Sequence, residues 1–411
     1  MDYYLITTAL VFISATFGYL NTRFIKLPST IGLTVITIVF TFFIFALSYF
    51  DDTLLNAERY IISHIDFRAV LLDIMLSFLL FAGALHTDLQ QLRTLRWPVL
   101  LFATFGVLVS TFLIGGVVFL MLEGIGLQVD LIYCFLFGAL ISPTDPIAVL
   151  GILKKAEVPK KLEMKIVGES LFNDGVGVVI FLTIYGLASG SNQEFSLISV
   201  LELFVVEVGG GILLGALLGW ITYQLMKSIN DYNIEVILTL SAVMTGSAIA
   251  SYLHISGPLA MVVAGLMIGG HKVRAQAMSE QTQGYVDKFW ELIDILLNTI
   301  LFVLIGMELL VLDLESEFIL AGVLTIPIAL LCRFISLSGP VAIFKKKLDF
   351  VPYTNIIMTW GGLRGAISIA LALGLTVEMH RDLFLVMTYV VVIFSIIVQG
   401  LTVGKLVERL R

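Results

Sequence analysis

Between Met164 and Ala188 the chain is apolar enough to cross a bilayer, yet Leu171-Phe172-Asn173-Asp174-Gly175 sets an amide beside a carboxylate in its middle. An ionisable group at that depth is costly to keep in lipid and marks a functional site by default. A second acid, Asp145, stands in Ser142-Pro143-Thr144-Asp145-Pro146, again between apolar runs. Proline has no N–H, so Pro143 and Pro146 release the carbonyls of Ala139 and Ser142 from helical hydrogen bonding. Two membrane carboxylates beside released carbonyls predict a cation site.

Around a helix turning about 100° per residue, Glu169, Ser170, Asn173 and Asp174 fall within about 140° of one another. They share a face opposite Leu171, Val167, Val178 and Phe181, so the polar stripe must look into the protein or a wet cavity. A hydrogen-bonded packing seam explains Asn and Ser, but it does not need two carboxylates about one turn apart. Two cations, Arg333 and Arg364, also fall inside apolar runs. With Glu169, Asp174 and Asp145 ionised, one negative charge is left over. One cation or one proton balances it, which is the physical minimum for exchange.

The elements that hold these groups follow from composition. Hydrophobic residues make up 59% of the chain and charged residues 13%, with mean hydropathy +1.02, which describes an all-α polytopic membrane protein. Spans of roughly 20 apolar residues are expected near 3–20, 29–50, 66–85, 98–122, 130–153, 164–188, 197–225, 234–253, 256–271, 289–312, 318–343, 354–375 and 382–404, about 13 in all. Under that reading the loops alternate in Lys and Arg, 19 on one side against 3 on the other, with Arg333 and Arg364 in the membrane. Cytoplasmic loops collect basic residues, so the N-terminus is placed outside and the C-terminus in the cytoplasm.

The longest polar stretch, His271 to Lys288, is too short for a soluble domain. A single transmembrane domain over 1–411 is expected, without a soluble regulatory domain. No cationic segment precedes the first apolar run, so a cleaved signal peptide is not expected. The fifth span is broken by Pro143 and Pro146, the twelfth by Gly361, Gly362 and Gly365. These matched breaks lie seven spans apart, an odd shift that makes two inverted repeats. One repeat covers about 3–188, the other about 234–404, and span 197–225 links them.

Three motifs, Ser142-Pro143-Thr144-Asp145-Pro146, Gly168-Glu169-Ser170-Leu171-Phe172-Asn173-Asp174 and Gly361-Gly362-Leu363-Arg364-Gly365-Ala366, resemble signatures of NhaP/NHE-type sodium/proton exchangers. Leu301 to Leu309, with Gly306, is similar too. The resemblance spans essentially the whole chain. It implies an NhaA-like antiporter fold with six-helix repeats and broken, crossing fifth and twelfth helices. It further implies a homodimer in the cell inner membrane that serves sodium transport and pH homeostasis, with no cofactor.

By the same resemblance Asp174 binds cation and proton in turn, with Asp145, Ser170 and the Thr144 carbonyl as further oxygen ligands for Na⁺. Asn173 orients the site, Glu169 pairs with Arg333, and Arg364 steadies the unwound twelfth span. Asn before Asp is the pattern associated with electroneutral exchange. Several relatives carry an acid in the third span where this chain has Phe81-Ala82-Gly83; Asp73, two turns away, is a candidate replacement, but its position near a span end reads more readily as interfacial.

The expected function is exchange of Na⁺ or Li⁺ for H⁺, since oxygen-only ligands suit hard cations. Potassium/proton exchange is the rival within the family. An intramembrane aspartyl protease also uses two bilayer aspartates, but it needs Tyr-Asp and Gly-x-Gly-Asp where this chain has Thr-Asp-Pro and Asn-Asp-Gly. A cation channel would conduct current, whereas one-for-one exchange would not. Neither an enzyme nor nucleic-acid binding is expected. Cys134 and Cys332 lie in apolar segments and read as core residues. His64, His86, His254, His271 and His380 have no metal-ligand spacing. Lys345-Lys346-Lys347 reads as a topology signal facing anionic lipid, and Phe40 to Phe45 as a lipid-facing patch.

Overall fold

The computed structural model describes residues 2–48, 70–87, 89–145, 160–189, 197–308, 315–344 and 353–410. All regular structure among them is helical. In chain order the spans are α1 (Tyr4–Ile25), α2 (Ser29–Ser48), α3 (Val70–Leu85), α4 (Arg96–Gly124), α5 (Leu131–Ile141), α6 (Lys160–Ala188), α7 (Leu197–Lys227), α8 (Tyr232–Leu253), α9 (Gly257–Gly269), α10 (Glu280–Glu308) and α11 (Ser316–Phe344). The twelfth is two short helices, α12a (Thr354–Trp360) and α12b (Ala366–Leu373), and α13 (Arg381–Leu410) closes the set.

Each of the thirteen expected spans therefore has a helical counterpart. Nine helices among the described residues are long and apolar enough to cross a membrane, and α3, α5 and α9 are shorter apolar helices. Helix α5 stops at Ile141, ahead of Pro143, and residues 142–145 are unwound. The second half of the expected fifth span, with Pro146, lies outside the described residues, as do His64 and Lys345 to Lys347.

The polar stretch His271 to Lys288 is helical rather than an open loop. It forms a short helix, His271–Ala277, and then the first turns of α10. Ser279 starts α10 by accepting the Thr282 N–H at 3.2 Å, with Glu280 in the first turn, and a side-chain acceptor and an acid suit a helix N-terminus. Lys165, one of the 19 basic residues counted on the loop side, is instead buried on α6, one turn before Glu169.

One apolar core runs through α4, α5, α6, α11, α12b and α13 around Phe137, Phe181, Ile369 and Phe384. Another joins α3, α7, α8, α9 and α10 around Phe81, Met261 and Trp290. Ala82 is sealed into this second core, and Phe81 packs on Trp290 with ring centroids 4.6 Å apart. No carboxylate stands there, and the Asp73 side chain is outside the described residues. In lipid, helices gain little by hiding apolar surface from one another, so close backbone approach through small residues supplies the packing. Gly215 on α7 shows this, since an added Cβ would lie 2.9 Å from Val263 Cβ on α9. Cys134 and Cys332 are buried and free, and Phe42, Phe43 and Phe45 are exposed on α2.

Candidate cation site

The site is built where the two unwound stretches meet. Residues 361–365 separate α12a from α12b, and the backbone N–H of Asp145 donates to the Leu363 carbonyl at 2.8 Å. Asp145 also lies directly over Gly365, where an added Cβ would stand 2.7 Å from Asp145 Cβ. No other residue type leaves room for this acid.

Broken backbone at membrane depth must find partners inside the protein. The Arg364 guanidinium donates to the Pro143 carbonyl at 2.9 Å and, more closely, to the Ser142 carbonyl. The carbonyl released by Pro146 thus holds a cation, but it is the protein's own. On the other flank α13 loosens into a π turn, Ser395–Gln399. There Ser395 Oγ accepts the Arg364 N–H at 2.8 Å, and Gln399 Nε2 donates to the Trp360 carbonyl at 2.9 Å. A single widened turn of α13 satisfies both ends of the gap in α12. Such turns recur at functional positions.

Helix α6 supplies the opposing face. Asn173 accepts the Thr144 N–H at 3.3 Å and donates to Thr144 Oγ1 at 2.9 Å, while Thr144 Oγ1 and Ser170 Oγ share a hydrogen bond of 2.8 Å. Glu169 Oε2 accepts from Arg333 Nη2 at 2.9 Å with both side chains buried. Arg333 Nε also donates to the Met358 carbonyl of α12a at 3.3 Å. Glu169 and Arg333, expected as partners, are in contact here, Asn173 lies against Thr144, and Arg364 lies against the Pro143 carbonyl.

Asp174 is 2% exposed and receives no hydrogen bond among the described residues. With Asp145 it faces a cavity of about 30 Å³, also lined by Pro143, Leu76, Asn298 and Ser368. That space suits a single water or a bare small ion. Thr144 and Ser170 do not line it; they stand beside it, bonded to each other. Sequence reasoning missed Asn298, Ser395 and Gln399. Asn298 donates to Asp294 Oδ1 at 3.0 Å, and both pairs show the same signal, two polar residues four apart in an otherwise apolar run.

Asp294, half-buried on α10, and Lys165, buried on α6, add an acid and a cation to the helices that carry the site.

The profile of the sodium/hydrogen exchanger transmembrane family matches residues 11–409. The Na⁺/H⁺ antiporter NhaP of Pseudomonas aeruginosa is 48% identical over 411 residues, covering 98% of this chain and 96% of that protein. The Na⁺/H⁺ antiporter NhaH of Halobacillus dabanensis is 33% identical over 94% of this chain and 93% of its own. In architecture the chain resembles the sodium proton antiporter MjNhaP1 from Methanocaldococcus jannaschii at pH 8, with a TM-score of 0.77, 19% identity, and 100% and 99% of the two chains covered.

Proposed function

Because this chain belongs to the sodium/hydrogen exchanger family, we propose that its exchange of Na⁺ for H⁺ across the membrane runs through Asp174. The observation that carries this reading is the shared cavity of Asp174 and Asp145 beside two joined unwound stretches. An isolated ionised carboxylate in a dry interior is too costly to persist, so Asp174 holds either a metal ion or a proton. The cavity has room for one occupant. Asp145 contributes a second oxygen donor, and Ser170 and the Thr144 carbonyl complete the shell once their own layer opens.

Each exchange then trades one positive charge for another, so the cycle is electroneutral, one Na⁺ or Li⁺ for one proton. The inverted halves, 3–188 and 234–404, rock around the site with α7 as the link. Arg364 and the α13 π turn keep the unwound stretches assembled while they move. The distribution of Lys and Arg supports an outer N-terminus and a cytoplasmic C-terminus in the inner membrane, and family membership supports a homodimer.

Purified protein in proteoliposomes tests the assignment. Asp174→Asn should remove Na⁺/H⁺ exchange while leaving a monodisperse protein, and wild-type flux should be indifferent to an imposed membrane potential. Exchange that survives Asp174→Asn would refute it.

A further inference from the structure

A second and larger cavity, about 440 Å³, opens near the end of α8. One acid lines it among the described residues, Glu207 of α7, together with Ser77, Ser247, Ser251, Ser256 and His254. No lysine or arginine among the described residues faces it. The Glu207 side chain has no hydrogen-bond partner among the described residues. Its backbone is anchored, since the Glu207 carbonyl accepts the Ser256 N–H at 3.1 Å. Ser77 Oγ donates to Ser247 Oγ at 3.2 Å across the floor. An acid within a membrane span that faces a polar cavity calls for an occupant.

The two cavities are neighbours. Val178, one helical turn beyond Asp174, lines the larger one, and Leu76 lines both. One leucine side chain is common to their walls.

We propose that the Glu207 cavity is a second binding site for the exchanged cation, a hard monovalent ion, on the His254 face. Its room for on the order of ten waters lets an ion arrive partly hydrated. Glu207 and the serine hydroxyls then replace part of that shell with oxygen donors, the ligand chemistry such ions prefer. The ion loses the rest as it passes Leu76 into the single-occupant cavity at Asp174. Dehydration is divided into two smaller steps. The inference rests on Asp174 as the transport carboxylate.

Sided flux measurements with Na⁺ test it, using right-side-out and inside-out membrane vesicles of the full chain. Glu207→Gln should raise the KM for Na⁺ offered at the His254 face by roughly threefold to tenfold, and by less than about twofold at the opposite face. Glu207→Asp should bring the shift back toward wild type. Equal shifts on both faces, or none, overturn the proposal. If Glu207→Gln does not fold, the Asp174→Asn protein is crystallised with Tl⁺. Anomalous density beside Glu207 supports the site, and its absence there sinks it. Failure of the Asp174 reading appears separately, as exchange that persists in Asp174→Asn.

Discussion

Asp145 and Leu363 are joined through their main chains, N–H to carbonyl at 2.8 Å, so the two interrupted spans are fastened to each other. The backbone of Asp145, a residue that lines the small cavity, is thereby fixed by a main-chain bond.

Competition for one group has a signature in pH. If Na⁺ and H⁺ exclude each other at Asp174, the KM for Na⁺ should rise as pH falls, approaching about tenfold per unit, while the maximal rate at saturating Na⁺ changes little. Steady-state exchange across a pH series with radiolabelled Na⁺ measures this. A maximal rate that falls in step with rising KM would mean the proton acts elsewhere.

Gly365→Ala should impair transport without unfolding the protein. Gly365 is extended at φ −127°, ψ −161°, which alanine adopts readily, so the obstacle is contact. The new methyl would lie 2.7 Å from Asp145 Cβ and 2.9 Å from its Cγ, pushing the acid off the cavity. We expect the KM for Na⁺ to rise about fivefold or more. Gly116→Ala, where an added Cβ meets nothing within 4 Å, serves as the control.

Glu169 and Arg333 are both buried. Removing one member of a buried pair strands the other charge, at a cost of about 3–5 kcal/mol. Glu169→Gln should therefore lower the unfolding midpoint in detergent markedly. Glu169→Gln combined with Arg333→Met should recover much of the loss, and additive losses would show that the pair is not the source.

Asn298→Ala should raise the KM for Na⁺ by about threefold. Its amide lines the Asp174 cavity and also satisfies Asp294, so both the polar lining and the neighbouring acid change. Parallel measurements with Li⁺ and Na⁺ show whether the amide bears on ion choice.

Much of this was legible in the sequence because lipid enforces it. Long apolar runs declared the helices, and the breaks were marked by Pro143, which lacks an N–H, and by the glycines of 361–365, whose conformational freedom weakens a helix. Glu169, Asn173 and Asp174 declared a common face by spacing. What stayed hidden was tertiary. Nothing local says that Ser395 and Gln399 would serve the gap in α12, since they meet it from another span. Lys165 reads as a loop cation by charge alone, and only packing places it inside. Glu207 and His254 lie far apart in sequence, and only the fold brings them to one cavity.

Arg364 reaches from one interrupted span to the carbonyls of the other, and Asp145 leans back over Gly365 in return. Neither segment is a self-sufficient module. A chimera that imports only one of them from a distant relative should inherit a mismatched joint, whereas transplanting both together keeps the joint intact. Divergence at this crossing is therefore tied to paired replacement.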